Sequence, residues 1–100
     1  MAIKFIMTWD IQPGKEQEYF EFVVRTFMPV ANQIGLNLED AWVTIYGDQP
    51  QIQVGALVPD MLAAQKILQS DAWHDLNTRL QEYVDNYQFK LVPLKGAFQF

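Results

Sequence analysis

The chain's single histidine, His74, lies in the segment QSDAWHDLN, residues 69–77, with Asp71 three positions before it. Side chains three positions apart meet on one side of a helix, so Asp71 is placed to orient the imidazole. A histidine held in this way can exchange a proton near neutral pH, and we name His74 and Asp71 as the candidate catalytic pair. The alternative is a surface histidine, because Asp71, Thr78 and Gln81 on the same helical side are all polar.

A metal site at the same place would lack ligands. Asp71 and His74 supply two, and the chain has no second histidine and no cysteine. Protein zinc sites use three or four such side chains. The absence of cysteine also excludes disulfides and cysteine nucleophiles, and the isolated glycines form no phosphate-binding loop. We therefore expect no metal and no cofactor.

Aromatic side chains are the second candidate for function. The chain carries three Trp and four Tyr among its 100 residues. These rings either line a cavity for a planar hydrophobic ligand or fill a small core. The rings considered for such a cavity are Trp9, Trp42 and Trp73 with Tyr19, Tyr46 and Tyr83. The predicted substrate-pocket residues are Met7, Trp9, Tyr19, Trp73 and Asn77.

Composition excludes several classes of protein. The formal net charge is −5 and the Lys and Arg residues are scattered, which argues against nucleic-acid binding and against an anionic membrane surface. No apolar run approaches the roughly 20 residues that span a bilayer. Half of the residues are hydrophobic, and we expect a single domain over residues 1–100. We expect a cytoplasmic protein.

The spacing of apolar residues predicts the elements that position these side chains. Residues 3–11 alternate as a strand with one apolar face, and residues 15–34 have a helical stripe that includes Phe20, with a kink or break at Pro29. Asp60 and Ser70 are predicted N-caps of two later helical segments. The remaining predicted elements are strands over 41–46, 51–58 and 87–92 and a helix over 61–69 followed by a second segment whose stripe runs from Trp73 to Val84.

The predicted order β-α-β-β-α-β is that of a ferredoxin-like α+β domain. Right-handed crossovers give a four-stranded antiparallel sheet of order 4-1-3-2 with both helices on one face. The other face, which includes Lys4, Ile6, Thr8 and Leu57, is too apolar to remain in water over a whole sheet. We therefore expect a homodimer that buries this face.

Two segments carry a family resemblance. IQPGKEQEYFEFV, residues 11–23, and LQSDAWHDL, residues 68–76, resemble the dimeric α/β-barrel superfamily, and DAWHDLNTRL followed by FKLVP resembles its NIPSNAP-like members. Antibiotic-biosynthesis-monooxygenase-like and stress-responsive proteins belong to the same superfamily. The resemblance implies two ferredoxin-like sheets paired into one α/β barrel, with the helices outside.

The haem-degrading branch of that superfamily can be compared residue by residue. Its members carry an Asn on the first strand, a Trp on the second helix and a His ligand further along that helix. The matching positions here hold Met7, Ile67 and Asn77, and His74 lies about one turn before the ligand position. These differences disfavour haem degradation and leave a ligand shifted to His74 as the alternative.

The function expected from the residues and the resemblance together is binding, or cofactor-independent transformation, of a small hydrophobic or aromatic compound. The transformation would be of the monooxygenase, isomerase or cyclase type. The alternative is a non-catalytic module for ligand binding, stress response or interaction.

Overall fold

The computed structural model describes residues 2–43 and 52–93, with side chains for 2–38 and 52–93. The strands are β1 (Ile3–Ile11), β2 (Asn37–Val43), β3 (Ile52–Val58) and β4 (Val84–Pro93). The helices are α1 (Glu16–Phe22), a π segment (Val23–Phe27), α2 (Met28–Gln33), α3 (Met61–Gln69) and α4 (Asp71–Leu80).

The sheet has the order β2-β3-β1-β4, which is the predicted 4-1-3-2 order counted from the other edge. Every neighbouring pair of strands is antiparallel, and the helices lie on one face. The predicted ferredoxin-like fold is therefore confirmed.

The strand at the centre of this sheet provides much of the core. Alternate residues of β1, from Ile3 to Ile11, are buried under the helices, and those between them are half-buried on the outer face. Phe5 and Met7 are completely buried and Trp9 is 1% exposed. The alternation seen in the sequence thus places one row of large side chains where the helices must cover it.

Two strand boundaries differ from the prediction. β2 begins at Asn37 rather than at 41, and residues 44–46 lie outside the described part of the chain. β4 begins at Val84, which the predicted helical stripe had included, rather than at 87. Val84 pairs with Ile11, and the Gln12 N–H donates to the Tyr83 carbonyl over 2.9 Å. The chain therefore pairs with β1 from Val84 onward and does not form a further helical turn.

The first helical stretch changes its winding in the middle, and the predicted burial of Phe20 is wrong. Pro29 has no N–H to bond the Arg25 carbonyl. Just before it, the Met28 N–H donates to the Val23 carbonyl five residues back. This π turn lets Phe22 and Phe27, five positions apart, both be buried, while Phe20 is 53% exposed.

The break between α3 and α4 is confirmed. The Asp60 side chain accepts a hydrogen bond from the Ala63 N–H at 2.8 Å and starts α3. The Ser70 hydroxyl accepts one from the Trp73 N–H at 3.1 Å and starts α4. Ser70 thereby fixes the direction of α4 and the position of Trp73, its first buried residue.

A β-bulge interrupts the pairing of β4 with β1. Thr8 pairs with Gln88 and Asp10 with Asp85, so that Asn86 and Tyr87 together stand opposite Trp9. Asn86 has φ 58°, in the left-handed region. Its amide donates to Asp10 Oδ2 over 2.9 Å. A bulge of this kind bends the strand and redirects the neighbouring side chain, here Tyr87.

The left-handed backbone at Asn86 predicts a sharp difference between two substitutions. Asn86→Val should lower the free energy of unfolding by about 1–3 kcal/mol, because a β-branched residue is strained at this φ. Asn86→Gly also loses the contact to Asp10, but should stay within about 0.5 kcal/mol of the parent. Urea unfolding of both variants measures the difference, and equal stabilities would contradict the assigned bulge.

Candidate functional site

The predicted pocket residues come together in the core, on the helix side of β1. Met7, Trp9, Tyr19 and Trp73 are all at most 4% exposed, and Asn77 is 9% exposed. Trp9 Nε1 donates a hydrogen bond to the Tyr19 hydroxyl over 2.9 Å, which joins β1 to α1. These side chains therefore share one interior region.

Rings from β1, β4 and α4 continue this region to the edge of the sheet. Trp9 stacks on Tyr87 at 6.1 Å between ring centroids, and Tyr87 lies 6.4 Å from Phe89. Phe89 in turn packs edge-on against Trp73 at 5.9 Å. We call Trp9, Tyr19, Trp73, Tyr87 and Phe89 the aromatic cluster. Phe89 is 43% exposed, so the cluster reaches solvent along the edge strand β4.

Two buried polar atoms have no hydrogen-bond partner among the described residues. They are the Tyr87 hydroxyl and Asn77 Oδ1. The Asn77 amide nitrogen is used, since it donates to the Trp73 carbonyl over 2.8 Å. An unpaired buried polar atom costs about 1–3 kcal/mol, so each calls for a physical explanation.

The contacts of α4 place Asn77 along the same part of the sheet as Tyr87. Trp73 packs on Phe5 at 5.7 Å between centroids. Ten residues later the chain bonds to Gln12 through Tyr83. The helix therefore runs in the direction of β1, and Asn77, about 6 Å beyond Trp73, lies above the strand between Phe5 and Gln12. Tyr87, opposite Trp9, belongs to that interval.

Burial changes the acidity of both tyrosines of the cluster. Desolvation raises the pKa of Tyr87 well above its usual value of 10.0. Desolvation also raises the pKa of Tyr19, although the hydrogen bond from Trp9 acts in the opposite direction. Both hydroxyls are protonated at neutral pH, and Tyr87 is available there as a hydrogen-bond donor.

His74 and Asp71 lie apart from the cluster. Both are exposed, as are Asp75 and Thr78, whereas the buried side of α4 carries Trp73, Leu76, Asn77 and Leu80. His74 is about 60° around the helix from Asn77 and about 100° from Trp73, and its side chain is exposed to solvent. The catalytic role of His74 and Asp71 stays a prediction, and it would require a surface site.

Tyr87 was missed as a site residue in the sequence. The alternation of YQFKLV places Tyr87 on the same face as Phe89 and Leu91, which is a usable signal. Its partnerless hydroxyl, however, depends on the bulge at Asn86. Two other predicted pocket rings, Trp42 and Tyr46, lie outside the part of the chain whose side chains are described.

A separate open groove of about 460 Å³ lies between α3 and the end of the first helical stretch. Its lining residues are Ile34, Gly35, Pro59, Ala63, Lys66, Ile67 and Ser70. None of the predicted pocket residues borders it. The groove is mostly apolar with one cation at its wall.

The described residues show neither a metal-ligand cluster nor a membrane-spanning helix. Within residues 2–43 and 52–93, no three His, Cys, Asp or Glu side chains are grouped in a way that could hold a metal ion. None of the helices in the same ranges is both long and apolar enough to cross a membrane.

Solved structures with this fold include NIPSNAP family proteins and a cofactor-independent oxygenase. A NIPSNAP family protein from Agrobacterium tumefaciens has a TM-score of 0.68 and 20% identity, over 96% of this chain and 89% of its own. A second NIPSNAP protein from that organism, of unknown function, has a TM-score of 0.70 and 12% identity, covering 99% and 94%. SnoaB from Streptomyces nogalater, a cofactor-independent oxygenase, has a TM-score of 0.68 and 16% identity, covering 99% and 98%.

These structural neighbours confirm the predicted resemblance to NIPSNAP-like and antibiotic-biosynthesis-monooxygenase-like proteins at the level of the fold. At such identities the likeness concerns the fold alone. By sequence, no protein-family profile and no curated protein matches the chain.

The two cluster tyrosines predict opposite effects of removing a hydroxyl. Tyr87→Phe removes an unpaired buried hydroxyl and should leave the free energy of unfolding unchanged or raise it by about 1 kcal/mol. Tyr19→Phe leaves the Trp9 indole N–H without its acceptor and should lower it by about 1–3 kcal/mol. Urea unfolding of the matched pair measures both. A loss of stability in Tyr87→Phe as large as in Tyr19→Phe would show that the Tyr87 hydroxyl has a partner.

Proposed function

We propose that this protein binds a small hydrophobic or aromatic compound at the aromatic cluster, between α4 and β4. The observation that supports the proposal is a pair of buried polar atoms without a partner among the described residues, Tyr87 Oη and Asn77 Oδ1. The Tyr87 ring stacks on Trp9. Ligand sites typically combine apolar walls with a few placed polar groups, and a bound compound would satisfy both atoms.

The chemistry of the two atoms indicates how the compound would be held. Tyr87 keeps its proton at neutral pH and can donate to a ligand oxygen. Asn77 Oδ1 can accept from a ligand hydroxyl or N–H. Phe89, half open to solvent on the edge strand, marks the side from which a flat compound would enter. A planar ring bearing one hydroxyl suits all three features.

We further propose that such a compound is transformed without a cofactor, as a monooxygenase, isomerase or cyclase would do. The likeness in fold to a cofactor-independent oxygenase supports this type of chemistry. Negative charge that develops on the ligand oxygen would be stabilised by the Tyr87 hydroxyl, in surroundings that exclude water.

Non-catalytic binding is the second candidate function, and the exposed position of His74 favours it. The titratable groups of the cluster are tyrosines whose pKa values are raised, so none of them is a base near neutral pH. If the protein transforms its ligand, a His74→Ala variant that binds the ligand normally but no longer transforms it would assign the proton-transfer role to His74.

The ligand proposal is tested by calorimetric titration with 2-naphthol, whose hydroxyl can accept from Tyr87 and donate to Asn77. We expect saturable binding that Tyr87→Phe and Asn77→Leu each weaken by about 10-fold, the value of one hydrogen bond. Tyr83→Phe, at a half-buried tyrosine outside the cluster, is the matched control and should bind as the parent does. Equal affinities for Tyr87→Phe and Tyr83→Phe, or no saturable binding, would refute the site.

We also propose that the protein is a homodimer that pairs the outer faces of two sheets, in a cytoplasmic setting. Ile6, Leu57 and Val92 lie half-buried on this face, and Ile6 stands opposite Gly55, which adds no side chain. An apolar sheet face of this kind is typically covered by a partner.

The homodimer predicts a change of mass in a single variant. Ile6→Lys places a charge in the proposed contact and should reduce the mass in solution from twice 11.6 kDa to 11.6 kDa. Leu62→Lys, at an exposed position of α3, is the control and should keep the parent mass. Sedimentation equilibrium at micromolar concentration makes the measurement, and a parent protein that is monomeric there would contradict the homodimer.

A further inference from the structure

Three exposed apolar side chains form a row along the first helical stretch. Phe20 is 53% exposed, Val24 65% and Met28 43%. Single exposed apolar residues are normal on protein surfaces. Here they recur every four residues on one side of the helix, which is the pattern of a contact surface. We call these three residues the outer row.

The π segment is what keeps the outer row straight. In an uninterrupted α-helix, residues eight positions apart are rotated by about 80° about the axis. The π turn between Val23 and Met28 takes up about one additional residue, which removes roughly 100° of that rotation. Phe20 and Met28 therefore lie within about 20° of each other. The same turn buries both Phe22 and Phe27, so one irregularity shapes both sides of the helix.

We propose that the outer row is a contact between two copies of this chain, packed as antiparallel helices about a two-fold axis at Val24. In this arrangement Val24 meets the partner's Val24, and Phe20 meets the partner's Met28 twice. A thioether against an aromatic ring is a favourable contact. The two-fold axis makes the surface its own complement, so that no second kind of surface is needed.

The charges beside the outer row favour a second copy over other partners. Glu21 and Arg25 follow Phe20 and Val24 by one position, and both are exposed. With the axis at Val24, Glu21 of each copy lies on the same flank as the partner's Arg25, about 3 Å from it along the helix axes, so the pairing makes two Glu–Arg contacts. A uniformly acidic or basic partner could match only one of the two charges.

This contact uses a different surface from the sheet-face homodimer and does not depend on ligand binding. Three side chains with their flanking charges form less than a standard protein interface, so the association should be weak and depend on concentration. In a sheet-face dimer, the outer row of each protomer would remain on the outside, and pairing of the rows would join dimers into larger assemblies.

Cysteine cross-linking tests the contact directly, because the chain has no cysteine of its own. Val24→Cys would lie on the axis and meet itself, so mild oxidation should give a disulfide-linked pair. Gln65→Cys, an exposed position on α3, is the matched control. We expect Val24→Cys to cross-link at least about 10-fold faster, since the contact raises the effective thiol concentration. Equal rates would overturn the proposal.

A charge exchange tests the antiparallel register independently of oxidation. Glu21→Arg and Arg25→Glu, each combined with Val24→Cys, should slow the cross-linking, and the double exchange with both changes should restore it. Because the exchanged positions are exposed, the unfolding midpoints should stay close to that of the parent and show that each variant folds. A double exchange that cross-links as slowly as the single changes would refute the proposed pairing of Glu21 with Arg25.

Discussion

The structure depends on how Trp9 is buried at the middle of the sheet. An indole N–H in a dry interior needs an acceptor, and the Tyr19 hydroxyl supplies it over 2.9 Å. That bond fixes α1 above β1. The indole ring of Trp9 also stacks on Tyr87, which stands opposite Trp9 at the bulge. One side chain thus joins the central strand, the first helix and the edge strand, and rings surround it on several sides.

The proposed function is a consequence of this packing. The Tyr19 hydroxyl accepts a hydrogen bond from the Trp9 indole. The buried hydroxyl of Tyr87 has no hydrogen-bond partner among the described residues. Asn77 also has an unpaired polar atom. Its amide nitrogen donates to the Trp73 carbonyl, and its side-chain oxygen has no partner among the described residues. Two unmet polar atoms in an apolar region are a cost to stability that a bound polar-edged ring would offset. Sites that bind ligands commonly carry such a cost.

The sequence predicted the structure well where the spacing of apolar residues determines it. It predicted less where a π turn or a β-bulge changes the regular repeat of a helix or strand. The alternation of residues 3–11 predicted which side of β1 is buried, and Asp60 and Ser70 predicted the helix starts. Phe20 was placed on the wrong side because a π turn changes the helical period. The large side chains predicted for a pocket are buried in the core, and their role in a pocket stays a prediction. The partnerless Tyr87 hydroxyl depends on a bulge that spacing does not reveal. The polar neighbours of His74 gave the better indication of its exposed position.

The central claim is that Tyr87 and Asn77 are ligand anchors, and a crystal structure grown with 2-naphthol tests it most directly. The account predicts electron density for the ring between α4 and β4, with its oxygen within hydrogen-bond distance of both Tyr87 Oη and Asn77 Oδ1. Density for the compound only in the groove beside Lys66, or an aromatic cluster closed around fully paired Tyr87 and Asn77 side chains, would contradict it.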